Sequence, residues 1–152
     1  MTGTGDSDSD RRLFLSSRLI RAATALGRVT SQVHKGQHGL TLPEFSVLMI
    51  LGGDDGAHTS SYIVETTAMD KTKVSRAVSS LDRRNWLSRT RATSDRRFEY
   101  LALTAAGRAA YAQLLPQVES AEKAVLKNLT DEEIKGLERG LAGLDRAFGE
   151  RA

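Results

Sequence analysis

Between Met69 and Gly107 the sequence gathers side chains that donate hydrogen bonds to anions. From Met69 to Arg97, Lys71, Lys73, Arg76, Arg83, Arg84, Arg89, Arg91, Arg96 and Arg97 stand against only Asp70, Asp82 and Asp95, a local net charge of +6 within a chain whose total is +3. Thr72, Ser75 and Ser79 lie among them. Guanidinium groups bind phosphate and pair bidentately with guanine. Lysines and hydroxyls supply further phosphate contacts. The plainer reading is a solvated helix face with ordinary surface arginines. It accounts less well for a basic turn directly after a basic helix.

Other chemistries find little support. His34, His38 and His58 are the only histidines, and none has a carboxylate or second histidine at metal-ligand spacing on an identifiable helix face. There are no cysteines, which excludes disulfides, thiol catalysis and cysteine-ligated metals. Glu132-Glu133 reads as a helix start and Asp54-Asp55 as a solvated loop, and no glycine-rich phosphate loop precedes a helix. His34 reads as a surface or interface residue. No metal, cofactor or enzymatic activity is expected.

The basic stretch must be positioned by the elements it forms. From Asp70 to Arg84 the apolar residues Val74, Ala77, Val78 and Leu81 follow the spacing of one helix face, leaving Thr72, Ser75, Arg76, Ser79 and Arg83 on the other. Trp86–Arg91 and 97–103 then read as two strands joined by the turn residues 92–96, with Thr104 capping a new helix. Upstream, Thr59 or Ser60 opens a short helix to about Thr66, followed by the turn 67–69. Short helix, tight turn, longer helix is the helix-turn-helix order. Adding the hairpin makes it a winged helix. Trp86 and Tyr62 read as packing residues.

The flanks read as helices. Leu15, Leu19, Ala22, Leu26, Val29 and Val33 mark a long first helix from Leu13 to about Gln37, its end bracketed by Gly36 and Gly39. Thr41, Pro43 and Glu44 form a helix start with a capping box, leading into the apolar run from Phe45 to Leu51, which Gly52–Gly56 ends. Leu114, Val118, Ala121, Val125 and Leu129 continue a stripe from Thr104 toward Asn128, with a bend expected at Pro116. Thr130–Glu133 caps a last helix bearing Ile134, Leu137, Leu141, Leu144 and Phe148. Such a seam at the chain's end calls for a helical partner.

At Asp95-Arg96-Arg97, followed by Leu101, Leu103, Thr104 and Gly107, the sequence resembles the wing of the MarR family of transcriptional regulators. The run Lys73-Val74-Ser75-Arg76-Ala77-Val78 with Leu81 resembles that family's recognition helix, and the likeness extends over about Leu13 to Phe148. It departs at Arg84-Asn85, where the family commonly has a basic residue and glycine, and near Thr93, where it often has proline. Asparagine is the next-best residue after glycine for the left-handed end of a helix.

The resemblance implies a mainly α fold with a small β-hairpin. A winged helix-turn-helix lobe at 41–107 is then flanked by dimerisation helices at 11–38 and 108–152; the Gly, Thr, Ser and Asp composition of 1–10 reads as a disordered tail, and length makes 11–152 one domain. The resemblance implies Asp95 as a brace for the wing, Arg97 as the minor-groove arginine and Arg96 as a backbone contact. On the helix, Arg76 is the base-reading candidate, with Lys71, Lys73, Arg83 and Ser60 on phosphates and Thr72, Ser75 and Ser79 on either. It also implies a small-molecule effector, often an aromatic or phenolic acid, with Arg18, Arg28 or His34 available to pair with its carboxylate. The expected function is a homodimeric, ligand-released repressor on a pseudo-palindromic operator in double-stranded DNA. The alternatives are a low-specificity architectural DNA binder and a winged-helix protein-interaction module. At 152 residues, with no apolar run near the ~20 needed to span a bilayer and no export signal, a cytoplasmic, nucleoid-associated protein without membrane contact is expected.

Overall fold

The computed structural model describes residues 14–95 and 97–149; the 1–10 tail expected from the sequence lies outside them. In chain order the elements are α1 (Leu15–Ser31), a π-helical segment (Gln32–Gln37), α2 (Leu42–Gly52), β1 (His58–Thr59), α3 (Ser60–Thr67), α4 (Lys71–Arg83), β2 (Leu87–Arg91), β3 (Glu99–Leu103), α5 (Ala105–Leu126) and α6 (Asp131–Gly149). The fold is mainly α, with a three-stranded antiparallel sheet in the order β1-β3-β2. The two-residue strand β1 was not legible in the sequence. Its partners Leu101 and Tyr100 lie some forty residues downstream, and two residues carry no period.

The helix starts are those read from the sequence. Thr41 and Glu44 form a reciprocal capping box, Thr59, Asp70 and Thr104 each accept the backbone N–H three residues on, and Thr130 pairs with Glu133 in the same way as Thr41 with Glu44. Each cap satisfies N–H groups the helix itself leaves unpaired. Helix α5 runs through Pro116 as one helix.

The core lies where α2, α4, β3 and α5 meet. Val47, Leu48 and Leu51 of α2 pack with Val74, Ala77, Val78 and Leu81 of α4, with Ile63, Leu87, Leu101 and Leu103, and with Leu114 and Val118 of α5. Burial of the apolar face of α4 decides which of its faces is free.

The first helix departs from expectation. Instead of running α-helically to Gln37, it widens at Gln32, and Leu40 N–H closes the segment by donating to His34 O at 2.8 Å. Gly39 then takes φ +63°, which a side chain would resist. His34, read as a surface or interface residue, is only 1% exposed. The widened turn places its ring parallel to Phe45 at 4.5 Å between centroids, with Nδ1 at 2.8 Å from Leu40 O. A carbonyl only accepts, so Nδ1 carries a proton, while Nε2 is buried without a partner.

Candidate nucleic-acid interface

Helix α4 follows α3 across a three-residue turn in which Ala68 adopts a left-handed φ of +54°. Asp70 caps α4, and the N–H of Lys73 holds its carboxyl below the ordinary carboxylate range. With Val74, Ala77, Val78 and Leu81 buried, Lys71, Thr72, Lys73, Ser75, Arg76 and Arg83 stand exposed on the opposite side. Two clefts flank this ridge. One, between α4 and the start of α2, is lined by Lys73, Ser75, Arg76 and Arg83 together with Thr41, Pro43 and Glu44. The other is lined by Lys71, Thr72, Ser75 and Arg76. Arg76 and Ser75 border both, as expected of residues on the crest. Ser60, in the first turn of α3, is half-buried.

The end of α4 is locked to the next helix. Trp86 N–H donates to Leu81 O at 3.0 Å and Asn85 N–H to Asp82 O at 2.9 Å, with Asn85 at φ +57°. This is the left-handed stop that asparagine was expected to supply. Thr104 donates through Oγ1 to Asn85 O at 2.6 Å and through its N–H to Trp86 O at 3.0 Å. Gly107, one turn into α5, lies so close to Trp86 that an added Cβ would collide with the Trp86 carbonyl. The Thr104-to-Gly107 spacing is thus a joint fixing the end of α4 to α5. Trp86 is half-buried against the core, whereas Tyr62 is 43% exposed and stacks on His58 at 4.4 Å.

In the wing, Asp95 accepts from the backbone N–H of Arg97 at 3.0 Å and from its guanidinium at 3.0–3.3 Å. Those bonds hold the Asp95 carboxyl below its usual range and raise the Arg97 guanidinium further, so both stay charged. Asp95 therefore does orient an arginine, and that arginine is Arg97, whose side chain is 88% exposed. Arg96 lies outside the described residues. Ser79 does not stand free on the exposed face. It is half-buried, and its hydroxyl accepts from Arg89 at 3.1 Å. The signal for Arg89 was its phase in β2, where it shares the inward side with buried Leu87.

A separate cavity of about 550 Å³ lies between α1, the π-helical segment and the start of α2. Arg28 and His34 line it, but Arg18 does not. It stands at a different azimuth of α1, ten residues from Arg28. Thr24, Gly27, Ser31 and Lys35 complete that wall. Sequence reasoning missed Lys35, although Thr24, Arg28, Ser31 and Lys35 recur at the spacing of one helix face. Among the described residues no cluster of His, Asp and Glu could hold a metal ion, and no helix is long and apolar enough to cross a membrane.

Residues 38–97 match the sequence model of the MarR family. No curated protein matches the chain. Among solved structures, the chain is similar to a MarR-family transcriptional regulator from Rhodococcus sp. RHA1, at 22% identity over 92% of this chain and 96% of that one, with a TM-score of 0.74. A probable transcriptional regulator from Pseudomonas aeruginosa matches at 25% identity over 86% and 96%, with a TM-score of 0.74. BpsR of Bordetella bronchiseptica, whose DNA binding is regulated by 6-hydroxynicotinic acid, matches at 24% over 86% and 92%, with a TM-score of 0.75.

Proposed function

We propose that this chain, whose residues 38–97 match the MarR family model and whose fold is that of solved transcriptional regulators, is a homodimeric repressor that reads a pseudo-palindromic operator and is released by a small anionic effector. The observation that carries this reading is the exposed crest of α4, with Arg76 at its centre and its apolar side sealed in the core, next to a wing in which Asp95 holds an exposed Arg97. Arg76 donates to base edges in the major groove. Lys71, Lys73 and Arg83 contact phosphates, as does Ser60, while Thr72, Ser75 and Ser79 supply hydroxyls. Arg97, oriented by Asp95, enters the adjacent minor groove, with Arg96 on the backbone.

Residues 41–107 form the DNA-binding lobe in this reading, while 11–38 and 108–152 form the dimer. Neither α1 nor α6 buries a residue. Leu15, Leu19, Leu137, Leu141, Leu144 and Phe148 line an apolar groove between them. Two amphipathic helices with no buried residue gain stability by covering that face with a second copy. A two-fold dimer then spaces its half-sites about one helical turn apart.

The effector would occupy the cavity beside α1. Arg28 and Lys35 favour an anion, and an aromatic hydroxy acid of the kind that regulates BpsR suits the apolar walls. Thr41 borders both this cavity and the cleft along α4. The Arg84 guanidinium, at the end of α4, donates to Gly39 O at 2.9 Å and His38 O at 3.4 Å. Segment 38–41 is therefore shared by the two sites, and occupancy of the cavity shifts the recognition helix through it.

The test is affinity for the DNA upstream of the protein's own gene against random DNA across a salt series. Preferential binding to the upstream DNA with a steep salt dependence is expected. Equal affinity for both would favour the architectural binder, and an absence of salt-sensitive binding would favour the interaction module.

A further inference from the structure

We infer that Arg89 is a positioning residue that fixes the wing at a set distance from the recognition helix, and that it does so without contacting DNA itself. The inference rests on the DNA-binding reading above for its purpose, though not for its geometry. Arg89 sits in β2 opposite Leu101 of β3. Alternation along a strand puts it on the same side of the sheet as Leu87, which is buried against α4. A charged residue at an inward position is out of place in a core, but β2 is the edge strand of the sheet, and Arg89 is exposed although Leu101 opposite it is buried. Its guanidinium spans the gap instead. Nε donates to Asp82 at 3.0 Å and Nη2 to Ser79 at 3.1 Å, both on α4, while Nη1 donates to Glu99 on β3 at 3.3 Å.

Two features set Arg89 apart from a DNA-contacting arginine. First, two carboxylates from different elements offset its charge, so little of it faces an incoming phosphate. Second, its partners join the helix to the hairpin. The Asp95 to Arg97 pair lies within the hairpin and ties it to nothing else. By accepting from Arg89, Ser79 also keeps its own O–H free to donate outward. Partly exposed ion pairs add little to stability, so the consequence is geometric. A helix in the major groove and a hairpin in the minor groove reach their sites together only if their spacing is held before binding.

The chain has no cysteine, so the spacing can be read with spin labels at Thr72→Cys and Thr93→Cys, both at exposed positions. With labelled protein diluted by unlabelled protein so that each dimer carries one labelled protomer, the wild-type background should give a single narrow distance between α4 and the wing in the DNA-free protein, and Arg89→Met and Asp82→Asn should each broaden it. An unchanged distribution in both variants would overturn the inference. On the preferred upstream DNA, both variants should bind about five- to tenfold more weakly, less than the loss of a full set of base contacts, with protection lost at the wing and kept at α4. Asp82→Asn is the sharper of the two, because it makes the surface more positive. Tighter binding with an intact wing footprint would overturn the proposal, as would an Arg89→Met salt slope reduced by about 0.9, the mark of one lost phosphate contact. If wild-type protein bound no DNA, the functional reading would fail while the spin-label result still decided the role of Arg89.

Discussion

Arg76 and Lys73 lie on the same exposed side of α4, but they should differ in what they read. Arg76→Ala is expected to lower affinity for the preferred sequence by about 1–3 kcal/mol while leaving random DNA nearly untouched, whereas Lys73→Ala weakens both alike and lowers the salt slope. Competition binding against random DNA measures both, and equal losses for the two variants would contradict this division. Gly107 is fixed by a different constraint. Gly107→Ala drives a methyl group into the Trp86 carbonyl at the joint between α4 and α5. A loss of about 1–3 kcal/mol in urea unfolding is expected, and a change under about 0.5 kcal/mol would show the joint to be slack. The Thr104-to-Gly107 spacing was visible in the sequence as a family resemblance. Its physical cause was not, because the colliding carbonyl belongs to a residue on the far side of a hairpin.

At the scale of elements, the start of α2 is held by Glu44. Burial raises the pKa of its carboxyl, but hydrogen bonds from Ser80 and Thr41 and the charge of Arg84 outweigh that and leave it below the ordinary 4.5. A carboxyl depressed in the folded state contributes stability above its unfolded pKa and loses it as pH falls through the lower folded value. Glu44→Gln should therefore cost stability at neutral pH, on the order of 1 kcal/mol, and the difference should narrow at an acid pH below 4.5. Chemical denaturation at the two pH values measures it, and an equal cost at both would mean that ionisation of Glu44 does not matter. The capping box was legible because a Thr-x-x-Glu spacing is local. The link from Glu44 and Arg84 to the cavity beside α1 was not, because it runs through residues that only the fold brings together.

For the whole molecule, the unburied faces of α1 and α6 set the expectation. Leu141→Glu places a charge in the apolar groove between these helices, at a residue 46% exposed in the single chain. It should halve the mass measured by light scattering and leave the helical content of the lobe intact. DNA affinity should fall on the order of 10²-fold as the second half-site contact is lost. A Leu141→Glu variant that remained a dimer would place the interface elsewhere.

The helix caps, the basic face of α4, the hairpin and the left-handed stop at Asn85 were legible from the chain alone, because each is written in the spacing of residues close together in it. Three matters were decided only in three dimensions. His34 entered the core because the helix before it widens into a π-helical turn, and periodicity counted at 3.6 residues cannot register that change. Ser79 acquired Arg89 as a partner because a strand brings an arginine back across the helix ten residues later. Arg28 and Lys35 came to line a cavity while Arg18 did not, because a cavity exists only where another element, here the start of α2, closes over one face of the helix. Local spacing fixes which side of an element is polar, and packing fixes what that side meets.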